Sequence, residues 1–76
     1  MQTTHVTMPI DGLGCWGGGA LIVERAVARA PGVVRVYVNP ATEMAYIEYD
    51  AATTDPRRLA AAVERAGFRA GPARRH

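Results

Sequence analysis

The chain contains no lysine and only one cysteine, Cys15. A single thiol excludes an intramolecular disulfide framework and an all-cysteine zinc site built within the chain. A free thiol fits a reducing compartment best, so a cytoplasmic setting is expected. No stretch approaches the roughly 20 apolar residues of a membrane span. The opening residues, Met1-Gln2-Thr3-Thr4-His5, lack the basic and then apolar order of a secretory leader. Aromatic residues are few, and the basic residues, all nine of them arginine, do not interleave with them in a stripe. Nucleic acid is therefore not an expected partner. The net charge of +2 is modest, and the richness in arginine and alanine is what a GC-rich genome produces. No acid–base pair, nucleophilic triad or phosphate cradle is visible, so an enzyme is not expected.

Seventy-six residues, about half of them apolar, make one folded domain over 1–76. A chain of this length buries only roughly 60–65% of its unfolded surface, which demands one small core built from regular elements. The core is expected over about 5–70. Residues 71–76, ending Arg74-Arg75-His76, are expected to form a solvated tail or to lead into a linker.

Val6, Met8 and Ile10 alternate with His5, Thr7 and Pro9, the pattern of a half-buried strand. Pro9 has no N–H, which suggests an edge or the end of a ladder. Ala20, Val23, Ala26, Val27 and Ala30 recur at helical spacing, with Glu24, Arg25 and Arg29 largely on the other face. Glu24 early and Arg29 late suit the helix dipole, and Pro31-Gly32 stops the helix. Val33–Val38 and Met44–Tyr49 read as a hairpin of central strands, the second with Ala45, Ile47 and Tyr49 on one face. Asp55 is an N-cap with Pro56 at the first helical position. Leu59, Ala62, Val63 and Ala66 form the apolar face of a second helix, Gly67 its left-handed stop, and Phe68-Arg69-Ala70 a last short strand. The order β-α-β-β-α-β folds most simply as an α+β, ferredoxin-like sandwich: a four-stranded antiparallel sheet with both helices on one face.

Between the first strand and the first helix lies Gly12-Leu13-Gly14-Cys15-Trp16-Gly17-Gly18-Gly19. A thiol just before a helix N-terminus meets the positive end of the helix dipole, which favours the thiolate that binds soft metals. The bland alternative is an inert position. The triple glycine reads either as a longer, frayed loop or as backbone that approaches a ligand closely. Trp16 either folds back on the domain or is an exposed docking residue. The segment also matches G-x-G-x-x-G, but no acidic residue follows about 20 positions on, and the domain is too small for a doubly wound sheet.

Several stretches resemble the heavy-metal-associated domain family: Val6 to Leu13, Val23 to Val27, Pro31-Gly32-Val33, Val36 to Glu43, Ile47 to Asp50 and Leu59 to Phe68. The resemblance covers residues 5–70. The family includes copper chaperones, N-terminal domains of metal-pumping P-type ATPases and mercury carriers. Its loop reads Met-x-Cys-x-x-Cys, with two thiolates gripping one ion. Here Leu13 takes the methionine place and Cys15 the first cysteine; Gly18, or Gly19 when counted back from the helix, stands where the second belongs. The resemblance implies a module that binds or transfers a soft metal, Cu(I) first and Hg, Cd or Zn as alternatives, with Cys15 as its metal ligand. It implies as partners a metal-transporting P-type ATPase or another domain of this type. A single thiol loses chelation, so a second ligand must come from a partner, a small thiol or a metal-bridged homodimer. Within the chain, Met8 reads as core, His5 as too distant, Met44 as surface or edge, and His76 as the end of the tail. The resemblance also places Phe68 under the metal loop, where phenylalanine suits an ATPase domain better than a free chaperone. The competing expectation is a metal-independent interaction domain that has lost chelation.

Overall fold

In the computed structural model, which describes residues 2–13 and 18–75, the strand-like alternation at the start becomes β1 (Thr3–Asp11). The remaining elements are α1 (Gly19–Ala28), β2 (Val33–Asn39), β3 (Met44–Asp50), α2 (Pro56–Arg65), β4 (Arg69–Ala70) and β5 (Arg74–Arg75). The sheet is antiparallel, in the order β2-β3-β1-β4, with β5 also on β1. This is the expected ferredoxin-like arrangement. Val6, Met8 and Ile10 of β1 and Ala45, Ile47 and Tyr49 of β3 point into a core shared with Val23 and Val27 of α1 and Leu59 and Val63 of α2. Each large apolar side chain sealed there contributes about 1.5–3 kcal/mol.

Three features sharpen or correct the expectation. β2 is an edge strand, because β3 already has β1 on its other side. Pro9 lies in the central strand β1, not at a sheet edge, but it closes the β1–β3 ladder opposite Met44, the other position expected of it. Its carbonyl accepts the Gly71 N–H at 2.8 Å, so its missing N–H faces the gap between β4 and β5, where no ladder bond is lost. Gly71 has no alternative there, since a Cβ would lie 2.6 Å from Pro9 Cγ. The expected tail is also partly pinned. β4 covers only Ile10 and Asp11, and the open flank of Val6 and Thr7 takes Arg75 and Arg74 as a further short strand.

Local chemistry explains the helix ends. Asp55 accepts the Arg58 N–H at 2.9 Å and Pro56 opens α2. The α2 stop is a Schellman motif: Gly67 at φ +97° donates to the Glu64 carbonyl, and Phe68 N–H to the Val63 carbonyl. No helix among the described residues is long and apolar enough to cross a membrane.

Candidate metal site

The loop that carries the thiol hangs between two fixed ends. On the entry side Ile10 and Asp11 pair with Ala70 and Arg69 of β4, and Leu13 is buried in the core. On the exit side Gly18, at φ +80°, starts α1. Gly14, Cys15, Trp16 and Gly17 lie outside the described residues, as does His76, and with them the expectations placed on Cys15, Trp16 and His76.

The two helices start differently. α2 has a side-chain cap; α1 has none, and its first turn carries no acidic residue. The N-cap and first turn of α1 thus supply no anion to its positive end, a setting that favours a thiolate in the preceding loop. Glu24, expected to serve the dipole, instead reaches sideways, and its Oε2 accepts the Val38 N–H on edge strand β2 at 2.9 Å.

Phe68 forms the floor between the loop ends. A Cβ built on Gly12 would stand 3.6 Å from the Phe68 ring, and one on Gly19 3.4 Å from it and 3.2 Å from the Leu13 carbonyl. The aromatic side chain therefore bridges the two glycines that bracket the loop, carried there by the Schellman turn that ends α2. Leu21 and Ile22, in the first turns of α1, are about half exposed, at 50% and 47%. Sequence reasoning passed over them; their signal was an apolar pair lying off the Ala20–Val23–Ala26–Val27–Ala30 stripe.

Among the described residues, neither Met8 nor His5 is offered to the loop. Met8 is fully buried in the core. His5 is on the sheet face turned away from the helices, where its Nε2 stands 3.8 Å from Glu48 Oε1. Asp11 lies six positions further on, about 20 Å along a strand. Met44 is half-buried in the central strand β3, opposite Pro9, rather than on an edge. Among the described residues no three His, Cys, Asp or Glu side chains come together as a metal cluster.

Residues 8–69 match the heavy-metal-associated domain. The probable copper-transporting ATPase PacS of Synechocystis sp. is 42% identical over 65 residues, 86% of this chain and 8% of that protein. The probable copper-transporting ATPase SynA of Synechococcus elongatus is 36% identical over 70 residues, 91% of this chain and 9% of that protein. The chain thus spans less than a tenth of the length of these curated relatives. Among solved structures, the N-terminal domain of PacS from Synechocystis PCC6803 superposes with a TM-score of 0.75 at 37% identity, covering 100% of this chain and 98% of that one. Oxidized MerP from Ralstonia metallidurans CH34 superposes at 0.84 with 29% identity, covering 91% and 94%. From its matched span and its shared sheet and helices, the chain belongs to the heavy-metal-associated domain family.

Proposed function

We propose that this domain binds and passes on a soft metal ion, Cu(I), with Cys15 as its own ligand and a thiolate from elsewhere as the second. The observation that carries this reading is that copper-transport relatives share nearly the whole chain while one thiol remains in the loop that opens α1. The uncapped positive start of α1 supports thiolate formation. Two soft ligands suit Cu(I), and the second would come from a partner domain, a second copy or a small thiol. As Cys15 sulfur bonds the ion, its proton leaves to solvent. An incoming thiolate then bonds the same ion before the Cys15–metal bond breaks, so the ion moves with no change in oxidation state. Leu21 and Ile22 give the incoming partner an apolar rim beside the loop. The partner of this reading is a P-type metal pump, either as recipient or as the parent protein, and the setting is the reducing cytoplasm. The domain itself would catalyse no reaction.

The single thiol favours one second reading, a docking domain that has kept the scaffold and lost the metal. Titration of the reduced protein with Cu(I) against a chromogenic chelator separates the two. The metal reading expects binding that disappears in Cys15→Ala, strengthened by added glutathione or accompanied by a doubled mass when two copies share the ion. Equal, negligible competition by both proteins would leave only the docking reading.

A further inference from the structure

We infer that the open face of the sheet is a metal-independent self-association surface whose occupant is a second copy of this chain. The helices cover one side of the sheet only. On the other side the strand register lines up two adjacent rows. Arg35, Glu48 and His5 form one; Tyr37, Tyr46, Thr7 and Arg74 form the other. The Tyr37 and Tyr46 rings are stacked, with centroids 6.0 Å apart and planes 17° from parallel, yet the two residues are 53% and 42% exposed. They wall a shallow cavity of about 490 Å³ centred between the rows. Exposed, ordered tyrosines offer large contact area at small conformational cost, and exposed aromatic surface of this kind marks interfaces.

Charge and chemistry make this face complementary to itself. Among the described residues Arg35 makes no ion pair, and Glu48 is met only by His5, at 3.8 Å. Consider a two-fold axis lying in the interface and crossing the strands along the Val36–Ile47–Val6 line between the rows. It lays each row of one copy over the other row of its mate. Arg35 then meets the Tyr37 ring of the second copy, a cation over an aromatic face. Glu48 meets the hydroxyl of Tyr46 of the second copy, an acceptor facing a donor. The same operation repeats both contacts, as an isologous interface requires. It also overlays the full width of both sheets, in the aligned packing usual for twisted sheets. A two-fold parallel to the strands between β2 and β3 would also match charges, but it overlaps only two strands. Face area sets the strength. The long strands β1, β2 and β3 with the two-residue β4 and β5 present about 430 Å² in plan per copy. A pair covers roughly 900 Å² before side-chain relief is added, at the small end of specific interfaces, so association is weak and reversible. Thr7 lies four residues before Asp11, about 13 Å along the strand, which leaves the end of β1 outside the two rows.

Sedimentation equilibrium of the reduced, chelator-treated protein from micromolar to millimolar concentration tests this. The expected result is a monomer–dimer equilibrium with Kd of about 0.1–1 mM, unchanged in Cys15→Ser. Arg35→Glu and Tyr46→Ser, both exposed positions checked for an unaltered circular dichroism melt, should each weaken it about tenfold. Concentration-dependent amide shifts should map to β2 and β3. A monomer at every concentration overturns the inference. So does a dimer that Cys15→Ser abolishes or that both face variants leave intact; the first would instead place the contact at the loop.

Discussion

The Phe68 ring lies against Gly19, the first residue of α1, close enough that a Cβ there would touch it at 3.4 Å. One aromatic side chain thus ties the stop of α2 to the start of α1, and Gly12 on the entry side meets the same ring. Phe68→Ala should cost about 2–3 kcal/mol, less than a fully sealed phenylalanine because the site is only half-buried. In a domain of this size that lowers Tm by roughly 8–24 °C. Under the metal reading the loop also loses its floor, and Cu(I) affinity falls severalfold while Phe68→Leu keeps most of it. Thermal melts beside chelator competition check both parts. Full stability in the alanine variant would show that the ring is not holding the loop ends.

Glu24 binds α1 to the edge of the sheet. Its carboxylate accepts the Val38 N–H, a donor that faces away from β3 and would otherwise be a bare edge group. Glu24→Ala should destabilise by about 1–2 kcal/mol, while Glu24→Gln, which keeps an acceptor oxygen, should recover much of that. Hydrogen exchange at the Val38 amide reads the effect directly: faster in the alanine variant, near wild type in the glutamine one.

Gly32 and Gly67 both sit at positive φ, +89° and +97°, but in different surroundings. A Cβ on Gly32 would stand 2.9 Å from Thr53 Cβ, whereas one on Gly67 meets nothing within 4 Å among the described residues. Gly67→Ala should therefore cost only the left-handed backbone penalty, about 1–2 kcal/mol. Gly32→Ala adds overpacking, for a total of about 2–5 kcal/mol. Urea unfolding of the two variants side by side should give this order, and equal losses would contradict it.

Asp50 closes β3 by collecting donors. Its carboxylate accepts the Ala52 N–H at 3.0 Å, the Thr53 hydroxyl at 3.0 Å and the Gln2 N–H at 3.3 Å. These bonds, the Ala52 one foremost, hold its pKa below the ordinary carboxylate value. A carboxylate depressed in the folded state adds stability above its unfolded pKa, about 4, and gives it up as pH falls through the lower folded value. Asp50→Asn should therefore melt below wild type at neutral pH, and the gap should narrow on acidification below about pH 4. A gap that stays constant with pH would mean that the ionised form is not what the turn uses.

Periodicity carried most of the scaffold. Val6, Met8 and Ile10 at a spacing of two, Val23 and Val27 at a helical spacing, and the Asp55-Pro56 start are local signals, and each falls where the pattern put it. What the pattern missed depends on distant chain segments. Pro9 read as an edge or a ladder end because its lost donor is visible in sequence; the end of the β1–β3 ladder is where it lies, but the gap between β4 and β5 that accommodates it is not a local signal. Glu24 looked like a dipole charge because its partner, the Val38 amide, is fourteen residues away. Arg74 and Arg75 looked like tail because a two-residue strand has no period. The site was legible only as a deficit: one cysteine in a loop whose scaffold expects two, with its frame readable from Gly12, Gly18 and Phe68 and the thiol itself beyond the described residues.

That deficit can be reversed, and the structure distinguishes the two positions that sequence counting left open. Gly18 is exposed at φ +80°, and a Cβ added there meets nothing within 4 Å among the described residues, so a cysteine costs about 1–2 kcal/mol of backbone strain without overpacking against them. Gly19 is buried, and its Cβ would press at 3.2 Å on the Leu13 carbonyl and 3.4 Å on Phe68. Gly18→Cys should restore a thiolate pair with Cys15 and raise Cu(I) affinity by about 10²–10⁴-fold, the gain from making the second bond intramolecular. It should also remove the need for glutathione or a second copy. Gly19→Cys should lower Tm through overpacking and gain far less affinity. Chelator competition and melts on both variants decide between them. A larger gain at position 19, or none at either, would mean that the loop does not hold Cys15 where a metal can be shared.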